Sequence, residues 1–177
     1  NKVIYQIFPS RFAASRAVEE SVWYQAPIDS KADLGGSLRG IISHLDYIHD
    51  LGVDVIYLTP IFRSNSTHKY DTIDYYTIDP SFGTADDLKE LVDRAHEMGL
   101  RVILDGVFNH TSRDFFAFKD ILDNQAESVY KDWYYVDQFP LCLTPGSHNY
   151  KCYGYFAGMP KVNLRCPAAA AYFTDVA

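Results

Sequence analysis

Cysteine is scarce in this sequence of 177 residues. The three cysteines are Cys142, Cys152 and Cys166, so their number is odd, and no CxxC pair occurs among them. Structural zinc sites and dithiol redox motifs use such paired spacing. The pattern therefore favours free thiols in a reducing compartment over a disulfide or a metal role, and predicts a cytoplasmic protein.

Long apolar runs and an excess of basic residues are also missing. A membrane span needs ~20 consecutive apolar residues, and no segment approaches that length. The formal charge of −7 argues against nucleic acid as a partner, because proteins that bind it need a basic surface. The chain opens on a strand-like segment, residues 3–8, from which no signal peptide is expected. With 47% hydrophobic residues, the composition fits one soluble acidic domain with a core.

Aromatic residues, by contrast, are abundant. They make up 15% of the sequence, and 14 of them are tyrosines. Core packing would account for most of these side chains. Sugar-binding clefts also use aromatic faces, on which pyranose rings stack, so both uses stay open at this point.

Strand-like and helix-like segments alternate through the first two-thirds of the chain. Ser37 and Thr84 are predicted N-caps, Thr84 with Asp87 in a capping box, and Gly52 and Gly99 follow the two predicted helices. Short apolar runs at 55–58 and 102–104 have no polar interruption and are typical of strands buried on both faces. The alternation predicts right-handed crossovers and a parallel sheet, hence an α/β fold.

The alternation stops after the third strand. Residues 111–165 form an irregular, aromatic-rich region with turn signals at Pro140, Pro145 and Gly154. A loop of that length needs its own small fold or a function. Residues 168–176 are predicted to be helical again.

Polar side chains gather where the third strand ends. Asp105 follows the apolar run directly, and Asn109 and His110 come four and five positions later. Parallel α/β folds build their active sites at this edge. A carboxylate, an amide and an imidazole there suit a polyhydroxyl ligand or a hard cation. The alternative is a buried Asp105 that only caps nearby backbone amides.

Several segments resemble one known family. Residues 105–110 (DGVFNH) resemble the first conserved region, D-x-x-x-N-H, of the α-amylase superfamily, whose fold is a (β/α)8 barrel. Other segments resemble that family in the same order, namely 5–12, 52–60 and 68–83. Residues 159–163 (MPKVN) are close to M-P-K-L-N, a marker of the neopullulanase, cyclomaltodextrinase and maltogenic amylase branch.

The resemblance implies a fold and a division of the chain. The fold would be a partial (β/α)8 TIM barrel, comprising its first three βα units. Residues 1–110 would be the N-terminal part of the barrel. Residues 111–165 would be a small domain inserted after the third strand, and 166–177 would be the return helix.

The resemblance also implies roles for individual residues. Tyr70 would be the aromatic platform under the sugar ring at the cleavage point, and His110 would hydrogen-bond hydroxyls of that sugar. Asp105 and Asp71 would support the active site, Asp105 by pairing with an arginine that precedes the family's nucleophile. The residue at the position of Asn109 is a calcium ligand in many relatives, but this branch often lacks that site. The resemblance therefore implies that no cofactor is required, with calcium at Asn109 as the alternative.

The sequence departs from the family in places that matter. The nucleophilic Asp, the acid/base Glu and a further Asp would all lie beyond Ala177, so no catalytic residue is expected in this chain and it should be inactive alone. Ser10 replaces an Asp that usually precedes Arg11. Residues 13–22 lack an Asn/Asp-rich calcium loop, which weakens the calcium prediction further.

The leading hypothesis is a fragment of a glycoside hydrolase. Its parent would act on α-1,4-glucans, with cyclodextrins, pullulan and maltooligosaccharides as substrates, by retaining double displacement. The alternative is a non-catalytic, amylase-like carbohydrate-binding or scaffold protein. A sucrose- or trehalose-directed transglycosidase is a third hypothesis, which residues 159–163 disfavour. If the piece is stable alone, it should self-associate through the open edge of its sheet.

Overall fold

The computed structural model describes residues 1–15, 34–144 and 146–177. In chain order its strands are β1 (Ile4–Ile7), β2 (Val55–Leu58), β3 (Phe62–Ser64), β4 (Thr72–Ile78), β5 (Arg101–Leu104), β6 (Cys152–Tyr153) and β7 (Phe156–Pro160). Its α-helices are α1 (Pro9–Phe12), α2 (Leu38–Ile42), α3 (Leu45–Asp50), α4 (Ala85–Glu97), α5 (Phe116–Asn124) and α6 (Pro167–Val176). Two 3-10 turns lie at Gln125–Glu127 and Lys131–Trp133.

The chain divides into two compact units. The first contains Asn1–Ile61 and Thr77–Asp105, and the second contains Phe62–Tyr76 and Gly106–Ala177. The predicted domain boundaries at 110 and 165 are not tested by this grouping and stay a prediction. The 13–22 segment, where a calcium loop was considered, lies mostly outside the described residues. Within the described part, no helix has the length and apolarity needed to cross a membrane.

A parallel sheet forms the centre of the first unit. Strands β1, β2 and β5 pair in that order, all parallel, with Ile7, Leu58 and Leu104 side by side at their carboxyl ends. Phe82, Leu91 and the apolar residues of α2 and α3 belong to the core cluster of this unit. The prediction of parallel strands with helical connections is therefore confirmed for this part of the chain.

The prediction that residues 102–104 are buried on both faces is wrong. Ile103 is 43% exposed and Leu104 is 38% exposed, whereas Ile56 and Leu58 of β2 are fully buried. The reason is position in the sheet: β2 lies between two strands, and β5 is an edge strand among the described residues. An apolar run therefore indicates a strand, but its burial depends on what covers it.

The helix predicted from Ser37 to Leu51 is instead two short helices. Ser37 is the N-cap, as predicted, and its side chain accepts a hydrogen bond from the Gly40 amide. The helix breaks after Ile42 because side chains compete for the Gly40 carbonyl. The Ser43 hydroxyl donates to it at 2.9 Å and His44 Nδ1 lies 2.8 Å from it.

Helix α4 begins at the predicted capping box. The Thr84 hydroxyl accepts from the Asp87 amide, and the Asp87 carboxylate accepts from the Thr84 amide at 2.8 Å. Arg39 adds an ion pair to Asp87 at 2.7 Å. The hydrogen bond from the Thr84 amide is the largest cause that lowers the pKa of Asp87, and Arg39 lowers it further.

Replacing Asp87 with alanine is expected to destabilise the protein by about 1 kcal/mol at pH 7, because a capping interaction is lost. A carboxyl whose folded pKa is depressed stabilises above its unfolded pKa, so this contribution is full above about pH 4. It is lost as the pH falls through the lowered folded pKa. Thermal midpoints of wild type, Asp87→Ala and the neighbouring control Asp86→Ala would test this. Equal midpoints for all three at pH 7 would contradict it.

The second unit has an aromatic core. Strands β3 and β4 pair, and β6 and β7 form an antiparallel hairpin. The buried cluster includes Phe115, Phe118, Trp133, Tyr134 and Phe173. Tyr75 contacts Phe115 and Phe173 edge to face, with ring centroids 5.8 Å and 5.4 Å apart. Much of the chain's aromatic content is therefore used in core packing, one of the two uses left open by the composition.

Candidate functional site

The loop before Tyr70 is held by hydroxyl groups. The Asp71 carboxylate accepts from the Ser64 hydroxyl at 2.6 Å and from the Ser66 hydroxyl. Ser66 Oγ in turn accepts from the Lys69 amide at 3.1 Å. Lys69 has a φ of 63°, a left-handed conformation that is uncommon for lysine. Strained backbone of this kind persists only where its surroundings fix it, and here the surroundings are this network.

Tyr70 and His110 are brought together in the second unit. His110 Nε2 lies 3.0 Å from the Tyr70 carbonyl oxygen and must donate to it, because a carbonyl only accepts. His110 Nδ1 is then the acceptor, and the Asn109 amide nitrogen donates to it at 3.0 Å. These two bonds fix one tautomer of the neutral ring. Both ring nitrogens of His110 therefore have partners within the protein.

His110 is buried, with 5% of its surface exposed. Burial is the main cause that lowers its pKa, because desolvation penalises the charged imidazolium. The Tyr70 carbonyl and the Asp71 charge act in the opposite direction but are smaller. At neutral pH the ring is consequently uncharged, with one donor and one acceptor nitrogen, each of them bonded within the protein.

The segment 159–163 lies beside the Asn-His pair. The Val162 amide donates to the Asn109 carbonyl at 3.0 Å, and the Thr111 amide donates to the Pro160 carbonyl at 3.2 Å. His110 and Lys161 form an antiparallel bridge between these hydrogen bonds. The segment that carries the branch marker is therefore a backbone partner of the segment that carries His110.

Tyr75, which precedes His110 in the sequence, also bonds to the backbone of the segment that carries His110. Its hydroxyl lies 2.5 Å from the Val107 carbonyl and 3.2 Å from the His110 carbonyl. The ring is buried, and burial raises the pKa of Tyr75 well above its usual range. The hydroxyl therefore stays protonated and remains a donor to this loop.

Asp105 lies in the first unit, at the end of β5 as predicted. Its carboxylate accepts from the Tyr57 hydroxyl at 2.5 Å, and its amide donates to the Leu58 carbonyl at 3.2 Å. The predicted pairing of Asp105 with an arginine is not tested by these contacts. Tyr57 lies on the adjacent strand β2, where its position in the register is opposite Ile103.

A family comparison decides what the chain is related to. Residues 6–162 match the family model of the α-amylase catalytic domain. The chain belongs to this family. The match covers the Tyr70 loop, residues 105–110 and all but one residue of the 159–163 segment. The resemblance carried by those segments is thus confirmed.

Individual relatives of this amylase-family chain are informative about the branch. It is 49% identical to a cyclomaltodextrinase of Geobacillus thermopakistaniensis, with 99% of this chain and 30% of the relative covered. It is 42% identical to the intracellular maltogenic amylase of Bacillus subtilis strain 168, with the same coverage of 99% and 30%. The chain thus spans about a third of the length of the curated relatives that it matches. The branch prediction is confirmed.

A solved structure supports the barrel-type fold. The type III pullulan hydrolase from Thermococcus kodakarensis superimposes with a TM-score of 0.87 at 36% identity. The superposition covers 99% of this chain and 35% of the hydrolase. The amylase-family chain therefore has a TIM-barrel-type fold, of which it represents a fragment.

A calcium site at Asn109 is not shown by the described residues. Across 1–15, 34–144 and 146–177, no group of three or more His, Cys, Asp or Glu side chains could hold a metal ion. The Asn109 amide nitrogen already donates to His110, which leaves one side-chain oxygen at that position. Calcium needs six to eight oxygen ligands, so no step below depends on it.

Sequence reasoning missed several residues that position the predicted ones. Tyr57, Ser64, Ser66, Tyr75 and Tyr153 each contact a predicted site residue or its backbone. Tyr153 stacks on the His110 ring, with centroids 4.9 Å apart and an angle of 30° between the planes. The dense run of tyrosines at 70–76 was a signal for Tyr75, whereas serines in a loop are too common to be distinctive.

Proposed function

We propose that the protein carrying this chain is a glycoside hydrolase that acts on α-1,4-glucans. Cyclodextrins, pullulan and maltooligosaccharides are the proposed substrates. The names of the relatives support this substrate range, because they include a cyclomaltodextrinase, a maltogenic amylase and a pullulan hydrolase. The structural observation that carries the proposal is the link between Tyr70 and the buried, neutral His110.

In this proposal Tyr70 and His110 bind one glucose unit together. The Tyr70 ring offers an apolar face to the C–H groups of a pyranose. The His110 ring offers hydrogen bonds to the hydroxyls around its rim. Because both ring nitrogens are already bonded, a sugar hydroxyl must compete with Asn109 or with the Tyr70 carbonyl. Asp71 acts indirectly, by holding the loop on which Tyr70 lies.

The reaction would be double displacement with retention of configuration. It needs two carboxyl groups ~5–5.5 Å apart on either side of the glycosidic bond, one as nucleophile and one as acid/base. We assign neither role to a residue of this chain, and infer that both groups come from the rest of the protein. Asp105 would support them by pairing with an arginine outside these residues. His110 would bind more tightly as the sugar flattens toward an oxocarbenium ion.

The proposed architecture follows the same relationship. Residues 1–110 would form the first three βα units of a (β/α)8 barrel, 111–165 an inserted small domain and 166–177 the return helix. Exposed Ile4 and Ile103 on the two outer strands would be covered by the remaining barrel strands, or by another copy if the piece is isolated. We place the protein in the cytoplasm; the Bacillus subtilis relative is named intracellular.

One observation favours a second candidate function. Both nitrogens of His110 are satisfied inside the protein, which is the geometry of a structural histidine. A non-catalytic carbohydrate-binding or scaffold protein needs no more than that. Binding of maltooligosaccharides without turnover by the full-length protein would support this candidate over the hydrolase.

Reducing-sugar release from β-cyclodextrin and pullulan tests the proposed function directly. The full-length protein is expected to release reducing sugar from both substrates. The 177-residue chain alone, after its intact mass is verified, is expected to release none because it lacks the proposed nucleophile. Release by the isolated chain, free of contaminating amylase, would overturn the assignment of the carboxylates. No release by the full-length protein would overturn the hydrolase itself.

A further inference from the structure

The β6–β7 hairpin carries an exposed aromatic surface next to His110. Its tip consists of Tyr153, Gly154, Tyr155 and Phe156, so every residue but the glycine is aromatic. Tyr153 is 52% exposed, Tyr155 is 98% exposed and Phe156 is 62% exposed. A single exposed aromatic residue needs no explanation, but a contiguous group of them usually marks a binding surface. We call these three side chains the hairpin shelf.

The hairpin shelf is built on fixed backbone. Gly154 has a φ of 56°, in the left-handed region that glycine adopts without strain and that tight hairpin turns use. The Tyr150 hydroxyl donates to the Ala157 carbonyl at 2.7 Å, and the Lys161 amide donates to the Lys151 carbonyl at 2.9 Å. These bonds hold the two sides of the hairpin together, so the backbone that carries the shelf is already ordered before a ligand binds.

The rings form a row that starts at the proposed sugar site. The Tyr153 ring stacks on His110, and the Phe156 ring is nearly parallel to that of Tyr153, at 14° and 6.4 Å between centroids. Tyr155 and Phe156, which are the most exposed of the three, offer the apolar ring surface that the C–H face of a pyranose needs. The hydroxyls of Tyr153 and Tyr155 add donors and acceptors for the sugar hydroxyls.

We propose that the hairpin shelf binds a further glucose unit of an α-glucan chain, beyond the unit bound by Tyr70 and His110. This inference rests on the proposed function and extends its site. A glucan is favoured over a protein surface because the row of rings is continuous with His110. The shelf would make the enzyme prefer longer chains.

The test uses the full-length protein and the variants Tyr155→Ala and Phe156→Ala. Neither side chain has a ring contact with His110 among those described, so the proposed site should stay intact. Tyr47→Ala is the control, because Tyr47 is also an exposed aromatic residue, at 52%, and lies on α3 in the first unit. Dissociation constants and KM would be measured for maltotriose and maltoheptaose. The expected result is a rise of about five- to tenfold for maltoheptaose in each shelf variant, the size of a lost stacking contact. Maltotriose values should change less than about twofold, and the control should match wild type.

Other outcomes separate this inference from the proposed function. If wild type cleaves both substrates and the shelf variants behave like Tyr47→Ala, the shelf binds no sugar and only this inference fails. Equal losses on maltotriose and maltoheptaose would also overturn it, because maltotriose can fill the Tyr70 and His110 site with its other two units on the side away from the shelf, whereas maltoheptaose is long enough to reach the shelf as well. A change in sedimentation coefficient with unchanged KM would mean that a second copy covers the shelf. If wild type neither binds nor cleaves any maltooligosaccharide, the proposed function fails and the shelf proposal fails with it.

Discussion

Replacing Tyr70 with alanine in the full-length protein is expected to lower kcat/KM on β-cyclodextrin about a hundredfold, with little change in melting temperature. Loss of one buried aromatic contact with a ligand costs about 2–3 kcal/mol, which corresponds to that factor. The fold should tolerate the change because the bond from His110 goes to the backbone carbonyl of Tyr70, which alanine keeps. The Asp71 carboxylate bonds directly to the Ser64 and Ser66 hydroxyls, and the Tyr70 ring contacts His68, with centroids 6.0 Å apart.

Two comparisons make the Tyr70 result specific. Tyr70→Phe retains the flat ring and should retain most of the activity, whereas Tyr47→Ala removes an exposed tyrosine from the first unit and should retain all of it. An unchanged rate for Tyr70→Ala together with a normal melting temperature would refute the stacking role. A large fall in melting temperature would instead indicate that Tyr70 is a core residue.

Replacing His110 with asparagine is expected to reduce kcat about a hundredfold while raising KM less than about threefold. A contact that strengthens mainly in the transition state affects kcat more than ground-state binding. Oriented hydrogen-bond donors at developing charge are worth factors of about this size. Asparagine keeps an amide donor but is shorter than the imidazole, so it cannot span from the Asn109 side chain to the Tyr70 carbonyl as His110 does.

A control for His110 has to separate chemistry from structure, because this ring also packs on Tyr153. His96→Asn, on the exposed surface of α4, should leave both kinetic constants unchanged. Melting temperatures of the two variants would reveal any structural loss. Parallel losses in kcat and in ground-state binding by His110→Asn would mean that the ring only holds substrate.

Local patterns predicted the elements of this chain well. Ser37 and Thr84 cap helices where the sequence places them, since a capping side chain bonds to an amide only three residues away. The position of Asp105 at the end of β5 was also predictable from neighbouring residues, because the apolar run of the strand stops at this carboxylate. The family resemblance then assigned roles to Tyr70 and His110, which the structure brings into contact.

Contacts between distant residues and burial could not be predicted in the same way. Tyr57 and Asp105 are separated by 48 positions, and nothing in either local sequence specifies their hydrogen bond. The exposure of Ile103 depends on which strands lie beside β5, which its own apolar run does not encode. The helix breaks after Ile42 because the Ser43 and His44 side chains compete for the Gly40 carbonyl. Hydrophobic periodicity carries no information about such hydrogen bonds.

The antiparallel bridge at His110 has a consequence for how this region can be shortened or recombined. The Asn109 carbonyl and the Thr111 amide have their backbone partners in Val162 and Pro160, on the far side of the irregular region. A chain that ended before Met159 would lose those partners and the pairing of Cys152 with Pro160 in the hairpin, whose Tyr153 ring packs on His110. Residues 111–158 can therefore be varied in length between relatives only if the two flanking segments still meet in register. The marker pentapeptide thus supplies one side of a short antiparallel backbone pairing, and the segment that contains His110 supplies the other side.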